Sequence, residues 1–226
     1  DMSFADRVEV DVNANLARVE VTGIDVKLGE GRVRGDAKLT LGDKPMVEAD
    51  LKIDRLPFGR LMACLGVQGA WVDWSATGKV SAGGTLQPFA IGGDVSVELE
   101  RFRVWDRGWD RPEVRGKNSA QYLMLGFPMA SVEGNWTADP DGFWIRDATL
   151  RRGTSTGTAT ARVNIEDADG IMVDALLEPM DLADLGPVNG VNILGKGRVD
   201  VHLSGPRSNI LGLGKLNLKG VNIAEV

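Results

Sequence analysis

The amino-acid sequence predicts an all-β protein built from antiparallel strands. Three observations lead to this prediction: apolar and polar residues alternate along many segments, turn-forming residues recur between these segments, and glycine is abundant. Glycine accounts for 29 of the 226 residues, nearly twice the average of about 7%. A period of two is typical of strands with one apolar and one polar face. Strands of a parallel α/β protein would be apolar on both faces and separated by long helices, and the sequence has neither feature.

The alternating segments are spread over the whole chain. Charged and hydroxyl side chains occupy most positions between their apolar residues, which we expect on a shared face. These apolar residues are Val8, Val10 and Val12; Val33, Gly35, Ala37, Leu39 and Leu41; Val47, Ala49, Leu51 and Ile53; Val95, Val97 and Leu99; and Val199, Val201 and Leu203.

Turn signals separate the predicted strands. Glycine, proline and aspartate supply the backbone conformations that tight hairpins need. The predicted turns are Gly29-Glu30-Gly31, Gly42-Asp43-Lys44-Pro45, Gly83-Gly84, Asp139-Pro140-Asp141-Gly142 and Asp167-Ala168-Asp169-Gly170. The polar stretch from Gly153 to Thr158 is interpreted as strand, with its hydroxyl side chains facing outward.

Only two stretches have a helical pattern. Leu56–Leu65 places Phe58, Leu61, Met62 and Leu65 on one stripe. Leu182–Leu185, which follows Asp181, is long enough for a single turn. Residues from about 106 to 130 follow neither pattern, so we expect an irregular insertion there.

An internal repeat links the two halves of the chain. Glycines and strand patterns recur at an offset of about 120 residues, as is typical of repeat proteins. The matching glycine pairs are Gly31 and Gly153, Gly35 and Gly157, Gly78 and Gly197, and Gly93 and Gly212. We therefore expect residues 1–226 to form one continuous β-repeat segment of a longer protein, with repeats at about 24–105 and 145–224. Glycines within strands also favour strong bending and coiling of the sheet.

The net charge and the composition exclude several classes of function. The net charge of −6 makes nucleic-acid binding unfavourable, since a polyanion would be repelled. Cys64 and His202 are the only residues of their types, so neither a cysteine zinc site nor a histidine cluster can form within the chain. The sequence also contains no catalytic constellation. We therefore expect a protein without enzymatic activity, cofactor or metal.

One turn motif resembles a known family. The sequence Gly84-Thr85-Leu86-Gln87-Pro88, followed by the alternating strand Phe89–Val97, is similar to the AsmA-like/TamB superfamily. A looser version occurs at Ser204–Gly212. Members of this superfamily are long proteins of the Gram-negative cell envelope that are anchored in the inner membrane, cross the periplasm and take part in lipid transport and outer membrane biogenesis.

The resemblance implies a fold and a function. The implied fold is an elongated, strongly twisted half-pipe, or β-taco, whose apolar groove holds phospholipid acyl chains. The implied location is the periplasm, and an inner-membrane anchor and an outer-membrane partner would be reached through parts outside this chain. The physical pattern agrees, because medium-sized aliphatic side chains provide area for acyl chains without directional bonds.

The leading hypothesis is a segment of a lipid conduit that moves phospholipids between the inner and outer membranes. The alternative is a structural or adhesive β-repeat protein, a filled sandwich or solenoid without a lipid ligand. We expect the groove to be lined by Val33, Ala37, Leu39, Leu41, Val47, Leu51, Ile53, Val80, Val95, Val97, Leu99, Ala159, Val163, Val199, Val201, Leu203, Leu216 and Leu218.

Overall fold

The described strands form a single antiparallel sheet of twelve strands. A computed structural model describes residues 5–59, 72–105, 123–164, 170–186, 191–205 and 211–225. The strands are β1 (Arg7–Ala14), β2 (Arg18–Leu28), β3 (Gly31–Thr40), β4 (Met46–Pro57), β5 (Val72–Leu86), β6 (Phe89–Trp105), β7 (Leu123–Asp139), β8 (Gly142–Arg152), β9 (Ser155–Asn164), β10 (Ile171–Asp181), β11 (Val191–Gly205) and β12 (Leu211–Glu225). A 3₁₀ helix follows β10 at Leu182–Leu185.

The topology is the simplest possible for such a sheet. Each strand pairs with its neighbours in sequence, from β1 at one edge to β12 at the other. Where the structure describes a tight turn, as at Gly29-Glu30 and Gln87-Pro88, it joins neighbouring strands as a hairpin. The predictions of an all-β fold and antiparallel pairing are therefore confirmed.

Four local predictions are corrected by the structure. Gly83 and Gly84 lie inside β5, and the turn to β6 is formed by Gln87 and Pro88 instead. A Cβ on Gly84 would lie 2.1 Å from the Ala90 carbonyl oxygen, so this glycine serves a close approach between strands. Gly153 and Thr154 form the turn between β8 and β9, and the strand begins at Ser155.

The remaining two corrections concern the predicted helix and the predicted insertion. Leu56 and Pro57 end strand β4, and helical conformation begins only at Phe58. The remainder of the predicted helix, including Cys64, lies outside the described residues. Strand β7 begins at Leu123, where it pairs with Trp105 of β6, so the predicted insertion is shorter at that end. Its residues 106–122 and the predicted turn residues 167–169 are also outside the described part of the chain.

A β-bulge interrupts every even-numbered strand. Each bulge places an extra residue opposite its partner strand, which is shown by a shift of register. The shifts fall between Val21 and Ile24, Ile53 and Leu56, Glu100 and Arg103, Ile145 and Ala148, Leu177 and Met180, and Lys219 and Asn222. Left-handed backbone is found in these bulges at Gly23, Arg55, Arg101, Asp147 and Gly220. A left-handed residue at a bulge is common, and it increases the local twist of the strand.

The bulges keep apolar residues on one face where simple alternation would fail. Leu56 packs against the same cluster as Ile53, although the two residues are three apart. Leu177 and Met180 likewise belong to one cluster. An extra residue between two apolar residues restores their common orientation. The apolar spacing of three in these strands therefore has a structural cause that strict alternation does not predict.

Two apolar clusters form the buried core. The first surrounds Ile53, Ala76 and Val97, and the second surrounds Met180, Leu182 and Val199. Leu182 and Leu185 of the 3₁₀ helix contribute to the second cluster. The Asp181 side chain caps this helix by accepting a hydrogen bond from the Ala183 N–H at 3.1 Å. The predicted single helical turn at Leu182–Leu185 is thus confirmed.

Candidate functional site: the apolar face of the sheet

A continuous row of apolar residues crosses the whole sheet. Residues opposite one another in an antiparallel pair have side chains on the same face. The register connects twelve such residues, one from each strand, and every member is aliphatic or glycine. The row is Val8, Val26, Val33, Ile53, Gly78, Val97, Val132, Leu150, Gly157, Leu177, Val199 and Leu216.

A second row runs parallel to the first, six residues further along the strands of its central part. It crosses eleven strands and contains only apolar residues and glycine. Its members are Ala14, Val19, Leu39, Val47, Gly84, Ile91, Ala138, Phe143, Val163, Ile171 and Gly205. We call the side of the sheet that carries these two rows the apolar face.

The predicted lining residues share this face. All of them except Leu41 lie in the two rows or at alternate strand positions beside them. Leu41 follows the end of β3 and is exposed. Burial varies strongly across the face: Val97 near the middle is 8% exposed, and Leu216 in the edge strand β12 is 62% exposed. The face is therefore best covered where neighbouring strands surround it on both sides.

Glycines allow unusually close strand approach at equivalent places in the two repeats. A Cβ on Gly35 would lie 2.0 Å from the Asp50 carbonyl oxygen, and one on Gly157 would lie 2.4 Å from the Leu176 oxygen. These glycines occupy β3 and β9, the third strands of β1–β6 and β7–β12. The repeat predicted from the sequence is thus accompanied by the same backbone contact in both halves.

Two stacked aromatic pairs also lie on the apolar face, and the sequence alone did not predict them. Trp136 stacks on Phe143 with ring centroids 5.9 Å apart, and Phe58 stacks on Trp74 at 4.6 Å. Trp74 lies within β5 and packs against the cluster around Ile53. Its neighbours include Ile53 and Val97 of the adjacent strands β4 and β6, so the register was needed to locate it.

The opposite face is polar across the same strands. One register row on this side contains Glu9, Asp25, Arg34, Lys52, Lys79, Ser96, Glu133, Thr149, Thr158, Leu176, Asp200 and Lys215. Only Leu176 is apolar. Hydrogen bonding from the Arg32 guanidinium holds the pKa of Asp25 below its ordinary value. Oppositely charged neighbours on this face therefore partly compensate one another.

Two shallow depressions lie on this polar face. One has a volume of about 610 Å³ and is bordered by Thr158, Asp174, Asp200 and His202. The other has a volume of about 500 Å³, and its border includes Lys52 and Lys79. Charged side chains border both depressions. Neither is the apolar groove expected from the sequence.

The single histidine belongs to the polar face. His202 Nδ1 lies 2.6 Å from the Asp174 carboxylate, its register partner on β10. Both side chains are about half exposed. No group of three or more potential metal ligands occurs among the described residues. No helix that the structure describes is long and apolar enough to cross a membrane.

These features define the class of the protein: an all-β chain whose open meander sheet has one apolar and one polar face. Comparison of the chain with protein-family models, curated proteins and solved structures finds no match. The function proposed below therefore depends on the two faces of the sheet and on the sequence resemblance.

Proposed function

We propose that the apolar face binds the acyl chains of phospholipids and that the chain is a non-enzymatic segment of a lipid conduit. The observation that carries this proposal is the unbroken apolar row from Val8 in β1 to Leu216 in β12. An apolar path that includes every strand suits a long, flexible hydrocarbon chain better than a small polar substrate. Headgroups would remain in water beside the sheet.

The energetics favour an apolar occupant. Covering an exposed leucine or valine side chain contributes about 1.5–3 kcal/mol. Leu216, Val221 and Ile223 of β12 are each more than half exposed. Aliphatic side chains offer no directional hydrogen bonds, so they accept acyl chains of different lengths equally well. A lipid could therefore move along the face without breaking specific contacts.

The half-pipe is part of the proposal. The bulges in the even-numbered strands increase local twist, and the close approach at Gly35 and Gly157 brings neighbouring strands together. Both features favour a coiled sheet that curves around its apolar face. At a strand spacing of about 4.8 Å, twelve strands extend over roughly 55 Å along the sheet.

The resemblance of the Gly84–Pro88 turn and the strand after it to the AsmA-like/TamB superfamily suggests the cellular setting. We propose a location in the periplasm, as part of an envelope protein that is anchored in the inner membrane. Its partners would be phospholipid acyl chains, an inner-membrane anchor and an outer-membrane partner contributed by other parts of the protein.

Two leucines of β12 provide a matched test. Leu216 lies on the apolar face at 62% exposure, and Leu213 lies on the polar face at 75% exposure. Both Leu216→Arg and Leu213→Arg should fold, because both side chains are exposed. The test measures phospholipid retained after gentle purification by native mass spectrometry.

The proposal predicts that Leu216→Arg retains less phospholipid than the unmodified protein and that Leu213→Arg retains the same amount. Absence of phospholipid from the unmodified protein, or equal loss in both variants, would contradict it. Self-association of a lipid-free protein through this face would instead support the structural β-repeat alternative.

A further inference from the structure

Two arginines share one tryptophan on the polar face. Trp144 in β8 is the register partner of Arg162 in β9, and Arg146 lies two residues further along β8. The guanidinium carbon of Arg162 is 4.0 Å from the centre of the Trp144 ring, and that of Arg146 is 5.2 Å away. Both distances are within the range of a cation–π contact. The indole therefore holds two positive charges close together.

Neither guanidinium has an acidic partner in the part of the chain that the structure describes. Among the residues that the structure describes, no carboxylate lies within ion-pair distance of Arg146 or Arg162. Most other described arginines do have such a partner: Arg7, Arg18, Arg32, Arg34, Arg55, Arg101 and Arg198.

The same cluster contains hydrogen-bond donors without acceptors. Arg162 Nε and Trp144 Nε1 are covered and have no hydrogen-bond partner within the described structure. A covered donor without an acceptor is costly, and native proteins seldom retain one without a reason. Both atoms belong to the stacked pair of Trp144 and Arg162, so the cluster is rich in donors, and no described carboxylate pairs with it.

We propose that Trp144, Arg146 and Arg162 form a binding site for a phosphate group. Guanidinium groups bind phosphate oxygens through paired N–H donors. Stacking on the indole restricts both arginine side chains, so less conformational freedom is lost when the anion binds. Arg146 is exposed and Arg162 is half-buried, which leaves the site accessible from solvent.

The position of the site suggests two sources of phosphate. Trp144 lies near the turn at Pro140 and Asp141, and its neighbour Phe143 belongs to the apolar face. A phospholipid headgroup at this rim of the sheet could reach the arginines, and so could free phosphate from solution. The site itself does not depend on lipid binding by the apolar face.

The test uses the full chain and two double variants. Arg146→Gln with Arg162→Gln removes both stacked charges. Arg103→Gln with Arg151→Gln removes two exposed charges that also have no ion-pair partner in the described residues but are not stacked on an aromatic ring.

Binding is measured by calorimetry with inorganic phosphate and, separately, with a short-chain phosphatidylglycerol below its micelle concentration. Thermal melts establish that each variant is folded. If the first double variant is unfolded, Arg146→Gln alone is used, because Arg146 is exposed.

We expect phosphate or the short-chain lipid to bind the unmodified protein, with at least a tenfold loss of affinity in the Arg146/Arg162 variant and less than a twofold change in the control. Tighter binding of the lipid than of phosphate would identify a headgroup site, and equal binding would identify a site for free phosphate. Absence of binding by both probes, or equal losses in both double variants, would overturn the proposal. Phosphate binding that persists in Leu216→Arg would separate this site from the proposed lipid conduit.

Discussion

The indole nitrogen of Trp136 donates a hydrogen bond to the carbonyl oxygen of Ser81, at a distance of 3.0 Å. Trp136 lies in β7 and Ser81 lies in β5, so the bond spans the intervening strand β6. Its path passes Gly93, the register partner of Trp136. A Cβ on Gly93 would lie 2.0 Å from the same Ser81 oxygen. The contact therefore requires glycine at this position.

Gly93→Ala should consequently destabilise the sheet. The added methyl group would collide with backbone and displace the Trp136 bond, which should lower the free energy of unfolding by at least about 2 kcal/mol. Gly83→Ala is the matched control, because the nearest atom to its Cβ would be the Val47 oxygen at 4.0 Å, and we expect a change within about 0.5 kcal/mol. Urea unfolding of both variants measures the difference. Equal stability of the two would show that this close approach is not needed.

Glycine in place of Arg101, in the bulge of β6, should stabilise the protein. Arg101 has a φ of 54°, a left-handed conformation that costs a residue with a side chain about 1–2 kcal/mol. Its contact with Glu30, at 3.8 Å, is exposed and contributes little. We expect Arg101→Gly to raise the melting temperature by about 2–4 °C.

Arg103→Gly serves as the control for the bulge. Arg103 is exposed in the same strand and has no left-handed backbone, so glycine should lower stability there by increasing the freedom of the unfolded chain. Thermal unfolding followed by circular dichroism compares the two variants. A lower melting temperature for Arg101→Gly would contradict the role assigned to the bulge.

Acid should weaken the end of β10. The ammonium group of Lys196, together with the Ala183 N–H, holds the pKa of Asp181 below its ordinary value. The unfolded chain therefore takes up this proton at a higher pH than the folded protein does. The stabilisation is fully present above the pKa of the unfolded chain and is lost as the pH falls through the lower pKa of the folded state.

Asp181→Asn removes this titration. The urea midpoint of the variant should fall less between pH 7 and pH 3 than that of the unmodified protein. Asp43→Asn, in the exposed turn between β3 and β4, controls for the loss of one carboxylate. Identical pH dependence in Asp181→Asn and the unmodified protein would be inconsistent with this linkage.

The strand alternation is the part of the fold that could be predicted. Strands such as Val33–Leu39 and Val47–Ile53 have one apolar face in the sequence as in the structure, because period-two alternation directly reflects a half-buried strand. The bulges were not predicted, since an apolar spacing of three, as in Leu177 and Met180, looks like a break in alternation when the partner strand is unknown.

Contacts between strands could not be predicted from the sequence either. The turn at Gln87-Pro88 was misplaced at Gly83-Gly84 because a glycine pair is a strong turn signal, whereas here the glycines permit close strand approach. The cluster of Trp144, Arg146 and Arg162 was missed because Arg162 meets the tryptophan only through the register of β8 and β9. Charge and periodicity along one strand contain no information about such pairs.

Site-specific photocrosslinking tests the central claim, lipid binding by the apolar face, most directly. A photoreactive amino acid is placed at Val80 or Val95 on the apolar face, and at Lys79 or Ser96 on the polar face of the same two strands. After irradiation in cells, mass spectrometry detects phospholipid attached to the purified protein. We predict phospholipid adducts from Val80 and Val95 and none from Lys79 and Ser96. Adducts from neither face, or equal yields from both faces, would contradict the proposal.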